Sequence, residues 1–246
     1  MKKGLFTVTE NISIADRTLR MTLAGDASAI VRPGQFVNVE IEGLYLRRPI
    51  SVCDWDAGKV VLVYKVVGAG TQKLSRLRPG AALDLLTGLG NGFDAGASGA
   101  RPLLVGGGVG VPPLYGLAKR LMAAGKQVTA ALGFGSAREA ILVDELRALG
   151  ADVRVATMDG SMGIKGLVTD LFPALAEPTY FYACGPAKML AAVENALPCD
   201  GEMSYEERMG CGFGACMGCS CKTLTGNKRI CKEGPVMESE EIIWAD

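Results

Sequence analysis

Cys211-Gly212-Phe213-Gly214-Ala215-Cys216-Met217-Gly218-Cys219, followed after a gap by Cys231, is the stretch from which the rest of this chain is read. C-x4-C-x2-C with a distant fourth cysteine is the ligand spacing of a plant-type [2Fe–2S] cluster. Thiolates that converge from so short a loop require a backbone that turns sharply and aims amide N–H groups at sulfur. Gly210, Gly212, Gly214 and Gly218 supply that freedom. Structural zinc is the competing reading, but it usually takes paired C-x2-C knuckles or Cys/His sets, and the chain contains no histidine. Cys221 competes with Cys231 for the fourth position. It stands one residue from Cys219, so an extended strand puts both on one face, and Cys221 reaches the cluster only by distorting the loop. Cys231 follows residues 223–229, where a Gly-Asn turn lets a hairpin fold it back, and it is the preferred ligand. Cys53, Cys184 and Cys199 are scattered and read as small buried hydrophobes, with Cys184 a partial exception.

Working outward, 246 residues are enough for two domains and a small appendage. Lysine plus arginine equals aspartate plus glutamate at 26 each, so no net field favours nucleic acid or an anionic membrane. Lys2 and Lys3 have no apolar segment behind them, and no apolar run approaches a membrane span. The chain reads as soluble and cytoplasmic, in a reducing compartment that keeps cluster thiolates free.

The first ninety or so residues read as all-β. Alternating runs at 18–23, 35–41, 49–53 and 59–67 are separated by turn signals such as Arg32-Pro33-Gly34, which predicts a small antiparallel barrel. Beyond residue 96 the pattern changes. Leu103 to Val105 is a short apolar strand, and Leu114, Leu117, Ala118, Leu121 and Met122 fall on one helix face. Further strands at 128–132, 153–156 and 180–183 alternate with helical stretches near 138–149, 167–175 and 187–197, the signature of a parallel sheet with helices on both faces. The expected organisation is a β-barrel over 1–96, a nucleotide-binding α/β domain over 97–200, and a cluster segment over 201–246 too small to own a core.

Gly106-Gly107-Gly108-Val109-Gly110 follows a strand and precedes a helix, where a pyrophosphate meets helix N-terminal amides. It departs from G-x-G-x-x-G in either register, and Gly133-Phe134-Gly135-Ser136 closes the second strand without an acid. A tight strand-to-helix turn without a ligand is the plain alternative. Cys184-Gly185-Pro186, at the end of the last strand, favours a ligand crevice. In the barrel, Arg47-Arg48-Pro49-Ile50-Ser51 places a fixed cation and a hydroxyl around a proline-stiffened strand, which suits a phosphate fork and a flavin edge.

Together with Val63-Tyr64-Lys65, Gly70-Thr71, Leu89-Gly90-Asn91-Gly92-Phe93, Glu207-Arg208-Met209 and Glu233-Gly234-Pro235-Val236, these motifs give nearly the whole chain a resemblance. It resembles the electron-transfer subunits of dihydroorotate dehydrogenase B, in the ferredoxin–NADP reductase superfamily. The resemblance implies that Arg48, Pro49, Ile50, Ser51, Val63, Tyr64, Lys65, Gly70 and Thr71 contact FAD. It implies that Gly106, Gly107, Gly108, Gly110, Cys184, Gly185 and Pro186 shape an NAD pocket, and that Cys211, Cys216, Cys219 and Cys231 bind the cluster. Ile50 stands where the wider superfamily often has tyrosine. The flavin would mediate between a hydride donor and a one-electron acceptor. No catalytic acid or base is expected of this chain, and pyrimidine chemistry would belong to an FMN-binding catalytic partner in a heterotetramer of two of each subunit. A reductase subunit of a ferredoxin:NADP oxidoreductase or hydrogenase would carry the same motifs, and a stand-alone NAD(P)H-dependent reductase would work without a partner.

Cys231→Ser is expected to abolish cluster assembly and Cys221→Ser to leave it intact. Iron content and the reduced-state EPR signal compare the two, and the opposite pattern would reverse the ligand assignment.

Overall fold

The structure, a computed structural model, describes residues 1–244. Six strands close an antiparallel barrel in the order β1-β2-β5-β4-β3-β6: β1 (Lys2–Ala15), β2 (Thr18–Ala24), β3 (Phe36–Val39), β4 (Arg48–Asp56), β5 (Lys59–Lys65) and β6 (Ala82–Leu89). Short helix α1 (Ala69–Ser75) joins β5 to β6. Val8, Met21, Leu23, Val37, Val39, Val52, Leu62 and Leu85 fill the interior. The four expected strands are present. β1 and β6 are additions, and β6 had a legible signal: Leu83, Leu85, Thr87 and Leu89 are buried at period two. β1 was masked because register shifts after Val8 and Ser13 break its alternation.

The second domain is built on a sheet of order β10-β9-β8-β7-β11-β12-β15. Its strands are β7 (Pro102–Gly107), β8 (Thr129–Phe134), β9 (Asp152–Thr157), β10 (Ile164–Lys165), β11 (Tyr180–Cys184), β12 (Gly201–Ser204) and the antiparallel edge β15 (Val236–Glu238). The last two belong to the segment after residue 200. The helices are α2 (Val111–Ala123), α3 (Val143–Ala148) and α4 (Ala187–Ala196). α2 buries the predicted face of Leu114, Leu117, Ala118 and Leu121, with Pro112 and Pro113 in its first turn, where proline's missing N–H is tolerated. The helix expected over 138–149 is shorter, because Leu142 adopts φ +58° and splits it into a 3-10 turn and α3. The stretch expected over 167–175 is a 3-10 helix with Pro173 inside it. A hairpin, β13 (Ser220–Thr223) and β14 (Gly226–Arg229), completes the chain's regular structure. Among the described residues no helix is long and apolar enough to cross a membrane.

The two sheet faces have different partners. One joins α2, α3 and the outer barrel residues Cys53 and Val63 in a common core. The other buries α4 together with Phe36, Cys219, Ile230 and Cys231. Barrel and sheet are therefore packed through shared side chains, which leaves little room for them to slide apart.

The link between β6 and β7 is clamped to the sheet. Tyr182 donates to the Asp94 carbonyl at 2.7 Å, Phe93 meets the Tyr182 ring edge-on, and the Asp94 amide donates to Glu202 Oε2 at 2.9 Å. Glu202 is 7% exposed and pairs across the ladder with Glu238. Burial raises its carboxyl to about 7, the Asp94 amide opposes that rise, and the Glu238 and Asp94 charges add to it. The native state thus keeps a proton that the unfolded chain releases near its ordinary value of 4.5, so stability is full below that value and is lost as pH rises through about 7. Urea unfolding should show a loss on the order of 2 kcal/mol between about pH 5 and pH 8, and Glu202→Gln should flatten that slope.

Candidate functional site

β12 ends at Ser204 and delivers residues 205–210 along the barrel wall to the cysteine loop. Gly212 and Gly214 take φ +78° and +91°, the left-handed turns that glycine permits, and Met217 follows at +60°. The turns aim amides at sulfur. Cys211 Sγ accepts from the amides of Ala215 and Cys216 at 3.3 and 3.4 Å, and Cys216 Sγ accepts from that of Cys211 at 3.4 Å. Cys219 and Cys231 Sγ lie 3.2 Å apart, and the Cys231 amide donates to Cys219 Sγ. The four predicted ligands therefore form two pairs, Cys211/Cys216 and Cys219/Cys231. Among the described residues no three Cys, Asp or Glu side chains close around one ion. Burial opposes ionisation at Cys211, but the surrounding amides outweigh it and hold the thiol below its ordinary value; burial and the neighbouring Cys219 push Cys231 the other way. Cys221 lines a separate hollow of about 300 Å³ with Tyr205, Thr223 and Ile242.

The loop is fastened by residues far from it in sequence. Asn91 Nδ2 donates to the carbonyls of Glu233 and Val236, and Asn91 Oδ1 accepts from the Val236 amide. Arg229 forks onto Glu233 and donates to the Gly214 carbonyl at 2.7 Å. Asn38 Nδ2 donates to the Cys211 carbonyl at 3.0 Å. Asn38 and Arg229 carried no sequence signal, because each partner is settled only by folding.

A first cleft, of about 280 Å³, lies between the barrel and this segment. It is lined by Pro49, Ile50 and Ser51 of β4, by Val63, Tyr64 and Lys65 of β5, and by Thr71. Tyr64 itself is buried and bonds Asn11 inside the barrel at 3.0 Å, while Lys65 is tied to Glu139 at 2.7 Å. Arg48 lies over the first turn of α1, where a Cβ on Gly70 would stand 2.5 Å from its Nε. Among the described residues Arg48 makes no ion pair. Sequence reasoning missed the far wall, formed by Val109, Tyr205, Glu206 and Met209.

A second cleft, of about 450 Å³, opens at the carboxyl ends of β7, β8 and β9. Gly107, Gly108 and Pro186 line it, with Phe134, Met158, Leu167 and Lys188. The other predicted residues lie beneath it. A Cβ on Gly106 would meet Val111 at 2.7 Å, one on Gly110 would stand 2.2 Å from the Cys184 carbonyl oxygen, and one on Gly185 would meet Met189 at 2.5 Å. Cys184 is buried, and burial pushes its thiol up to about 12. The 3-10 turn Gly108–Gly110 is shared, because Gly108 faces the second cleft and Val109 the first.

A barrel and a parallel sheet that share a cleft beside paired thiols are the parts of a flavin-type reductase with an iron–sulfur outlet. The defining pattern of the iron–sulfur cluster binding domain of dihydroorotate dehydrogenase B matches residues 206–243. The dihydroorotate dehydrogenase B (NAD(+)) electron transfer subunit of Geobacillus sp. (strain WCH70) is 43% identical over 99% of this chain and 99% of its own length. That of Listeria monocytogenes serotype 4a (strain HCC23) is 42% identical over 96% of each. The chain belongs to the family of dihydroorotate dehydrogenase B electron transfer subunits. Among solved structures, that of an NADH-dependent reduced ferredoxin-NADP oxidoreductase, determined for flavin-based electron bifurcation, superposes with a TM-score of 0.89 at 31% identity, covering 98% of this chain and 90% of that one. Phthalate dioxygenase reductase, at 18% identity, covers 84% of this chain and 70% of its own with a TM-score of 0.68, and shares the fold.

Gly110→Ala would set a methyl against backbone that no side-chain rotation can clear, and should lower stability by about 3 kcal/mol. Denaturant unfolding measures it, and Gly108→Ala provides the comparison, since that Cβ meets nothing within 4 Å and only its φ of +52° is strained.

Proposed function

We propose that this chain passes electrons between a dihydroorotate-oxidising catalytic subunit and NAD⁺ through a [2Fe–2S] cluster and FAD. The observation that carries the reading is the shared wall. Gly108–Gly110 separates the two clefts by one turn of backbone, and Met209, two residues before Cys211, lines the first cleft on its other side. Nucleotide cleft, flavin cleft and thiol pairs thus stand in series.

The donor sets fit the groups. Two thiol pairs with amides turned toward sulfur suit a binuclear cluster, which Cys211, Cys216, Cys219 and Cys231 would hold. Arg48 bonds the Leu46 carbonyl but has no carboxylate partner among the described residues and would fork onto a pyrophosphate, and Pro49 to Ser51 with Val63 to Lys65 would line the flavin's cleft. Gly107 and Gly108 let a dinucleotide approach the strand ends closely, and Lys188 is the one charged side chain lining that cleft. FAD, when bound, supplies the exchange between two-electron hydride chemistry and one-electron transfer. The chain's own work is to orient and to exclude water. Val109 and Tyr205 narrow the first cleft, and Phe134, Met158 and Leu167 keep the second apolar. Cluster thiolates require a reducing compartment, and the cytoplasm is the compartment that suits them.

Phe213 and Met217, 44% and 56% exposed at the tip of the cluster loop, form with Ala215 the docking surface for the catalytic subunit. That partner binds FMN and assembles with this chain as two of each. Copurification, followed by anaerobic reduction of NAD⁺ by dihydroorotate, tests the reading. A complex that reduces NAD⁺ only from another donor would move the chain to a sister reductase, which the likeness to the ferredoxin-NADP oxidoreductase keeps in view. Arg48→Ala is expected to weaken FAD retention roughly tenfold or more through loss of a charge-assisted phosphate bond, with little effect on folding. Stoichiometric FAD after extended dialysis of that variant would place the pyrophosphate contact elsewhere.

A further inference from the structure

Asn38 is a polar side chain that the function above leaves without a role. It is 1% exposed, in a four-residue strand whose other members are Phe36, Val37 and Val39. A buried amide in such a strand is costly unless it is bonded. Its Nδ2 donates to the Cys211 carbonyl at 3.0 Å, across 173 residues of sequence. Its Oδ1 is buried without a partner among the described residues, so that single bond sets the amide's orientation. The loop rests directly on it, because a Cβ on Gly212 would stand 2.4 Å from Nδ2.

The strand also touches the other elements of the path. Val37 and Val39 point into the barrel core, which puts Phe36 and Asn38 on the opposite face. Phe36 lines the first cleft and packs in the core that holds Cys219 and Cys231. One face of β3 therefore lines the cleft through Phe36, shares a core with one thiol pair through Phe36, and bonds the Cys211 backbone of the other pair through Asn38.

We propose that Asn38 is a positioning residue for electron transfer: its amide fixes the Cys211 end of the cluster loop against the strand that backs the flavin cleft, and so sets the distance and surroundings of the Cys211/Cys216 pair. The step it serves is the passage of one electron between cluster and flavin, which mixing with NADH drives from reduced flavin to oxidised cluster. The proposal rests on the reading of the first cleft as the flavin site and of the thiol pairs as cluster ligands.

The test uses the full chain, loaded with FAD and cluster, with Asn38→Leu, which removes both polar atoms, and Asn38→Asp, which keeps the shape and removes the donor. FAD and iron content should stay near stoichiometric. Amide exchange over residues 211–216 should speed up about tenfold or more while α4 is unchanged, as loss of a buried bond to that carbonyl requires. The reduced-cluster EPR spectrum should shift, and cluster reduction after rapid mixing with NADH should slow about tenfold, with flavin reduction itself unaltered. If Asn38→Leu does not fold, Asn38→Asp carries the test. Unchanged loop exchange, EPR and cluster reduction overturn the proposal, and so does loss of iron from both variants, which would make Asn38 a requirement for assembly. An unaltered chain that binds neither FAD nor cluster would instead remove the functional reading beneath it.

Discussion

A nine-residue loop that presents three thiols cannot bury itself, and much of this structure follows from that shortage. The loop has no core of its own, so Cys219, Ile230 and Cys231 are packed into the sheet's second face beside Phe36, Leu103 and Phe181. Burying apolar surface there is the favourable term; the amides turned toward sulfur satisfy polar groups that would otherwise be stranded. The segment then returns to the sheet as β15, so both ends of the cluster unit are held by strand pairing. What looks in sequence like an appendage is structurally an insertion between two strands of the sheet.

Fastening of this kind is specific because it relies on backbone carbonyls and amides. Asn91 satisfies three backbone groups around Gly234-Pro235, and Gly90 lets that segment come close, since a Cβ there would stand 2.5 Å from Pro235. These bonds explain why the Leu89 to Phe93 and Glu233 to Val236 motifs occur in one chain: they are the two halves of one joint. The same economy governs the Gly106 to Gly110 turn. Gly106, Gly107 and Gly110 are there for close packing against Val111, Met189 and Cys184, while Gly108, where a Cβ would meet nothing within 4 Å, leaves the second cleft open.

The cations in and beside the clefts are few. In the first cleft Lys65 is paired with Glu139 across the two domains and Glu206 and Glu207 are acidic; Arg47, outside both clefts, is paired with Glu40 and Asp84. That leaves Arg48 beside the first cleft and Lys188 in the second, each where a phosphate would need a cation. Exposed ion pairs elsewhere contribute little to stability. The barrel and sheet are held chiefly by shared apolar packing, in which Cys53 and Val63 join the core built on α2.

Local patterning was sufficient for much of this. Alternation gave four barrel strands, the i, i+3, i+4 spacing gave α2, and the cysteine spacing by itself named a cluster, because each is a consequence of backbone geometry within a few residues. Helix ends at Leu142 and Pro173, and the irregular first strand, were blurred where φ or register departs from the ideal. Of the predicted nucleotide-site glycines, sequence could not separate those that line a cleft from those that pack beneath it. It was blind to Asn38, Tyr205 and Glu206, and to the place of Val109 and Met209 on the first cleft, because these depend on neighbours distant along the chain. The sequence by itself determined which side chains could ligate, fork or turn; the tertiary structure alone decided which of them face one another, because long-range contacts are settled by packing and not by spacing.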